Sequence, residues 1–214
     1  MKKINVIAIT CLCLIGCAAN THLTEVTVFS DRFTQDTDRL RAIIGFNASA
    51  SYSNGLDHYG NKHFGKDSLD PIKYLKLNEG MGVGIGVLKN GFAFAVSAQM
   101  LMIGADATYR LADRAYISGY LTSNLSHGIS FYYRINTIQA IGPFYKSERF
   151  DGIGSEFLLP EIRKGRSFYG KYFGVKGLFY NSGKLEQSYF AGIGYSPSIR
   201  GISVFIGVDA IRIF

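Results

Sequence analysis

Asp106, Arg110, Arg134, Lys176 and Asp209 are single charges set in runs otherwise made of glycine, small hydroxyl and apolar residues. Gathered on one lining, such charges either select ions along a polar pore or pair with one another and seal it. In a narrow structure the sealed lining is the expectation. Four histidines, His22, His58, His63 and His127, complete the titratable set of interest. His58 and His63 stand five apart beside Asp57 and Asp67, but zinc takes three or four ligands at characteristic spacings that this run lacks, so no metal site is assigned. His127 and Ser130 are a base and a nucleophile close in sequence, the pair that an esterase or deacylase needs. In a strand, residues three apart point to opposite faces, so the two can cooperate only if Ser126-His127-Gly128 is a turn. No residue is therefore assigned as catalytic. Gly82, Gly84 and Gly86 open no helix and form no phosphate loop, and no cofactor is expected. Close backbone packing inside a narrow barrel accounts for them instead.

The elements that would position these side chains are strands. Ala42, Ile44, Phe46, Ala48, Ala50 and Tyr52 alternate with Arg41, Ile43, Gly45, Asn47, Ser49 and Ser51, one apolar face backed by a mostly small and polar one. The same period of two recurs at 80–88, 91–99, 103–110, 115–122, 129–136, 171–180, 187–195 and 202–213, and Asn90-Gly91 is a hairpin turn signal. With 41–53 that makes nine strands, whereas single-chain bacterial barrels use even numbers. Either 137–168, with Phe150, Ile153 and Phe157, hides a tenth, or 91–110 is one bulged strand and the total is eight. Ten returns both chain ends to the same side and is preferred. The expected fold is all-β: an antiparallel transmembrane β-barrel of eight to ten strands over residues 41–214. The polar stretch 54–79 is expected to be a long outward loop, the natural place for binding.

Composition agrees and excludes other classes. Hydrophobic residues are 47% of the chain, too many for disorder, and 25 glycines with 14 tyrosines and 16 phenylalanines favour strands. Without Lys2 and Lys3, 21 basic residues face 16 acidic ones, and the basic ones are scattered from Arg32 to Arg212, so no nucleic-acid partner is expected. All three cysteines lie within the first 17 residues, which rules out a disulfide framework in the body of the chain.

Residues 1–16 have a basic start, an apolar stretch from Ile4 to Ile15 and a small residue at the end, the pattern of a secretory signal peptide and too short for a membrane span. Leu14-Ile15-Gly16-Cys17 resembles a bacterial lipobox. The resemblance implies cleavage before Cys17, lipid on its sulfur and an acylated new amine, an anchor of several chains where one would be marginal. Ala18 stands where an Asp would imply inner-membrane retention, so the same resemblance implies sorting to the outer membrane. The alternative is ordinary cleavage after Ala18 or Ala19, with Cys17 lost. Residues 17–40, polar and weakly periodic, are expected to be a lipid-anchored linker containing a short helical turn.

At the other end, Ile202, Val204, Ile206, Val208 and Ala210 alternate with Ser203, Phe205, Gly207, Asp209 and Ile211, and the chain finishes on Phe214. An amphipathic final strand with a terminal Phe resembles the sorting signature of bacterial outer-membrane β-barrels, which implies a barrel-assembly machine and, with the lipobox, lipoprotein sorting machinery as partners. Arg212 departs from that pattern, at a small cost of ~0–1 kcal/mol near a membrane boundary. Alternation alone does not say which face is outside. The second face has too few Lys and Glu for a water-exposed surface, and Tyr52, Tyr109, Tyr189 and Tyr195 fall at strand ends as interfacial girdles do, so the apolar face is expected to meet outer-membrane lipid. The role expected is structural, small-pore or surface interaction. An envelope lipid hydrolase through His127 and Ser130, and a lipid-anchored soluble barrel holding a small apolar ligand, are the alternatives.

Overall fold

The computed structural model describes residues 22–30, 33, 39–53, 76–99, 102–123, 125–150, 168–182, 185–198 and 200–214. Ten antiparallel strands close on themselves: β1 (Arg41–Ser53), β2 (Lys76–Lys89), β3 (Phe92–Gln99), β4 (Met102–Ala112), β5 (Ala115–Thr122), β6 (His127–Arg134), β7 (Gln139–Phe150), β8 (Phe168–Ser182), β9 (Glu186–Ser196) and β10 (Gly201–Ile213). Each strand pairs with its sequence neighbours, and β10 pairs back onto β1 from Ile43↔Ile213 to Ser53↔Ser203. Closure leaves no edge, which a sheet surrounded by hydrocarbon requires, because each unpaired backbone group there costs several kcal/mol.

The tenth strand is β7, inside the stretch 137–168, while 91–110 is two strands and not one bulged strand. Pro143 explains why β7 is hard to read. It has no N–H to donate, and the ladder between β6 and β7 is interrupted at Gly142 and Pro143, with the same register on either side at Tyr133↔Ile141 and Ser130↔Phe144. On its other side β7 pairs with β8 without interruption from Gln139↔Phe179 to Phe150↔Phe168. The strand β2 also begins earlier than its apolar rhythm suggests, with Lys76 opposite Ser53.

The two ends of the barrel differ. Asn90-Gly91, with φ of 48° and 71°, forms the two-residue hairpin turn between β2 and β3, both residues in the left-handed region that type I′ turns require. Short connections at 113–114 and 135–138 lie at the same end, together with the end of β8, the start of β9, the start of β1 and the end of β10. At the opposite end lie the end of β1, the start of β2, the end of β7 and the start of β8; residues 54–75 and 151–167 lie outside the described residues.

A short 3-10 helix, Glu25–Phe29, precedes the strands, and residues 22–30 and Phe33 are all buried. They sit inside the barrel. Leu23, Val26, Val28, Phe29 and Phe33 join inward residues of β1, β2, β3, β5 and β6, among them Ile43, Leu88, Ala95, Tyr116 and Tyr132, in a single cluster. Gly84 in β2 and Gly45 in β1 make room for this. A β-carbon on Gly84 would run into the Leu23 side chain and the Val96 carbonyl, and one on Gly45 would lie 3.2 Å from Leu23 Cδ2.

Candidate functional site: a filled lumen behind an apolar wall

The wall is set by strand parity. Val83, Ile85, Ile103, Phe173, Ile193, Val204 and Ile206 point outward and are exposed, Ile206 by 59%, whereas Asp106, Lys176 and Asp209 point inward and are at most 2% exposed. A water-soluble barrel has the reverse arrangement, so a soluble barrel with an apolar ligand cavity does not describe this molecule. Tyr52 and Tyr195 face outward near the loop end, and Tyr109, Tyr133 and Tyr189 near the turn end, where aromatic rings bridge lipid and water. Arg212 is exposed beside the turn end, its guanidinium 5.2 Å from the centre of the Phe214 ring.

Inside, residues 22–30 and Phe33 are held by ring stacking near the turn end and by polar contacts along their length. Near the turn end, Phe33 and Phe29 stack on Tyr116 and Tyr180 with ring centres 6.1 and 5.2 Å apart, Ser30 Oγ donates to Glu186 Oε1 at 3.2 Å, and Arg134 donates to the Val28 carbonyl at 3.3 Å. Deeper in, the Thr24 amide and hydroxyl both donate to Asp106 Oδ2, at 2.7 and 2.6 Å. Glu25 is completely buried. Its Oε2 is paired with the Lys176 ammonium, Tyr132 donates to its Oε1 at 2.8 Å, and His22 Nδ1 lies 3.3 Å from that same oxygen. Lys176 also stands over the Phe190 ring at 4.6 Å, so its charge has both an ionic and an aromatic partner. The edge of His22 packs against Tyr120 at 4.4 Å. Above this layer, Lys146 donates to Glu148 at 2.9 Å and to Ser203 at 3.0 Å, with the Tyr172 and Phe205 rings within 5.0 Å.

Residues 22–30 form no part of the strand wall, and burial acts on the charge of two of them. Burial drives the His22 imidazole down to about 3, against the opposing influence of Glu25, so it is neutral. Burial works to raise the Glu25 carboxyl, but the neighbouring His22 and Lys176 and the hydrogen bonds from Lys176 and Tyr132 outweigh burial and bring it below the ordinary value of 4.5.

Of the five charges singled out in sequence, Asp106, Arg134 and Lys176 contact the inserted segment, Asp209 lies in the same lumen, and Arg110 is half-buried on the inner face of β4 near the turn end. Glu25 links this network together, although nothing in the alternation of the strands announces it. His127 is exposed, with Nδ1 3.0 Å from the Leu125 carbonyl oxygen, whereas Ser130 is buried on the lumen side, so the two do not meet. His58, His63 and Cys17 lie outside the described residues. Among the described residues, no three His, Cys, Asp or Glu side chains gather in a way that could hold a metal.

The sequence matches no protein-family model and no curated protein. Among solved structures it is similar to Ail, the attachment invasion locus protein of Yersinia pestis, in complex with the heparin analogue sucrose octasulfate, at 12% identity and a TM-score of 0.32 over 81% of this chain and 99% of that one. Neisserial surface protein A is similar at 13% identity and a TM-score of 0.28, over 79% and 96% of the two chains. A porin mutant of Rh. blastica is similar at 10% identity and a TM-score of 0.29; the match covers 62% of this chain, which spans just over half of the porin, 55% of its length. By its own surfaces, apolar outside and polar within a closed antiparallel sheet, this chain has a bacterial outer-membrane barrel fold.

Proposed function

We propose that the chain is an outer-membrane β-barrel of the bacterial envelope, tethered by lipid on Cys17, sealed at rest by its own segment 22–33, with a structural or surface-interaction role. The observation that carries the sealed state is the Glu25–Lys176 pair, which pins that segment across the lumen among Tyr132, Asp106 and Arg134. An ion-selective pore would keep its charges hydrated along an open path, whereas here Glu25 pairs with Lys176 and Glu148 with Lys146. The lipobox Leu14–Cys17 supports the anchor, and the terminal Phe214 supports recognition by the barrel-assembly machinery.

Reconstitution tests the seal. The wild-type barrel in planar bilayers is expected to give no steady conductance, and its gel mobility in detergent is expected to change on heating, as for folded membrane barrels. A steady open channel in wild type refutes the sealed role. Mass spectrometry of the amino-terminal peptide tests the anchor separately: diacylglyceryl and acyl groups on Cys17 are expected, and an unmodified peptide beginning at Asn20 refutes the lipid.

A further inference from the structure

Beside the seal, three adjacent lumen side chains have no hydrogen-bond partner among the described residues. Asn47 on β1, Asp209 on β10 and Ser188 on β9 are successive register partners, Asn47↔Asp209 and Asp209↔Ser188. Their Cβ atoms therefore stand about 4.5–5.5 Å apart on the same face. All three point inward, with exposures of 1%, 0% and 0%. Among the described residues, neither carboxylate oxygen of Asp209, neither polar atom of the Asn47 amide and not the Ser188 hydroxyl has a hydrogen-bond partner. Buried polar groups in folded proteins are nearly always satisfied, and three adjacent orphans mark a place for something the chain itself does not supply.

Charge says what that is. Glu25, Asp106 and Asp209 are all buried in this part of the lumen, within electrostatic reach of one another, and Lys176 is paired with Glu25. Lys146, one layer further along, is committed to Glu148. Among the described residues no cation is shown paired with Asp209, and a buried carboxylate without one costs several kcal/mol. The donors are all oxygens, with no thiolate or imidazole in the row, which selects a hard cation. The row also crosses the line on which the first strand closes onto the last.

We propose that Asp209, Asn47 and Ser188 bind a hard cation of the calcium class, with the carboxylate, the amide oxygen and the hydroxyl as protein ligands and water completing the shell. Bound there, the ion ties β1, β10 and β9 together from inside and gives the Asp209 carboxylate a counter-charge.

The test uses the full mature chain, unfolded, stripped with chelator and refolded into detergent with either calcium chloride or chelator. About one calcium per folded chain is expected after desalting, together with a higher temperature for the heat-induced change in gel mobility. Asp209→Asn is expected to lose the bound calcium and the calcium-dependent shift, while its metal-free form is at least as heat-resistant as metal-free wild type, because an unpaired buried charge has gone. Ser188→Ala is expected to bind calcium more weakly and to keep a reduced shift. Wild type that refolds without retaining calcium, and melts at the same temperature in calcium and in chelator, overturns the proposal whether or not the variants fold. Equal stabilisation by sodium chloride at matched ionic strength overturns it too, since screening then accounts for the effect.

Discussion

Glu25 is the side chain on which the seal turns, because it has no solvent to fall back on. Its removal leaves the Lys176 ammonium buried and unpaired, at a cost of ~3–5 kcal/mol, whereas removing both charges together leaves nothing uncompensated. Glu25→Gln and Lys176→Met are each expected to loosen the segment 22–33, read as protease cleavage within it in the folded barrel, and the double variant Glu25→Leu, Lys176→Met to loosen it less than either. His22 gives the docking a pH dependence whose sign is fixed by burial. Between its ordinary value of 6.5 and about 3, a released imidazole takes up a proton that the docked one refuses, so docking weakens as pH falls below 6.5. Glu25 acts in the same direction lower down, its contribution complete above 4.5 and fading as pH falls further. Protease access to the segment is expected to rise on acidification from neutral pH, and His22→Gln to flatten the portion above 4.5. The wall charges Asp106, Arg134 and Lys176 were legible in sequence, since strand parity puts them opposite the apolar face. Glu25 was not, because a short 3-10 turn in a polar stretch has no period that distinguishes a solvated linker from a buried one.

The strands were legible for the same reason that the inserted segment was not. A wall between hydrocarbon and a polar lumen forces a change of chemistry at every residue, so eight or more residues of alternation identify a strand without any knowledge of its partners. Strand β7 shows where that logic weakens: Gly142-Pro143 interrupts the ladder to β6, and Lys146 and Glu148 on its inner face read as loop residues until their partners are known. The segment 22–33 behaves as a separable element, since its contacts to the wall are side-chain and not ladder bonds, except where a backbone group meets a wall side chain, as Thr24 does Asp106. Deleting residues 22–33 while keeping the signal and Cys17 is therefore expected to leave a folded, heat-modifiable barrel, and to convert a silent barrel into a conducting one in planar bilayers. A deletion variant that folds and stays silent would show that other parts of the chain close the lumen.

At the scale of the whole molecule, the decisive property is that the sheet is inside out relative to a soluble barrel, and that property predicts an asymmetry between substitutions on the two faces. Ile206 and Val204 occupy the outer face of β10, well inside the strand, while Arg212 lies one residue before its end, over the ring of Phe214. A charge costs ~2–4 kcal/mol at the middle of the bilayer and ~0–1 near its boundary, so depth, not hydrophobicity alone, sets the penalty. Ile206→Lys is therefore expected to destabilise the barrel in lipid vesicles by ~2–4 kcal/mol, and Arg212→Leu to change stability by less than ~1 kcal/mol, both measured by equilibrium denaturant unfolding. In the soluble alternative the signs differ: an outward lysine at 206 would meet water and cost almost nothing. Equal stability of Ile206→Lys and wild type in vesicles would thus take the outer face of β10 out of the hydrocarbon, and with it the assignment of the whole apolar wall to lipid.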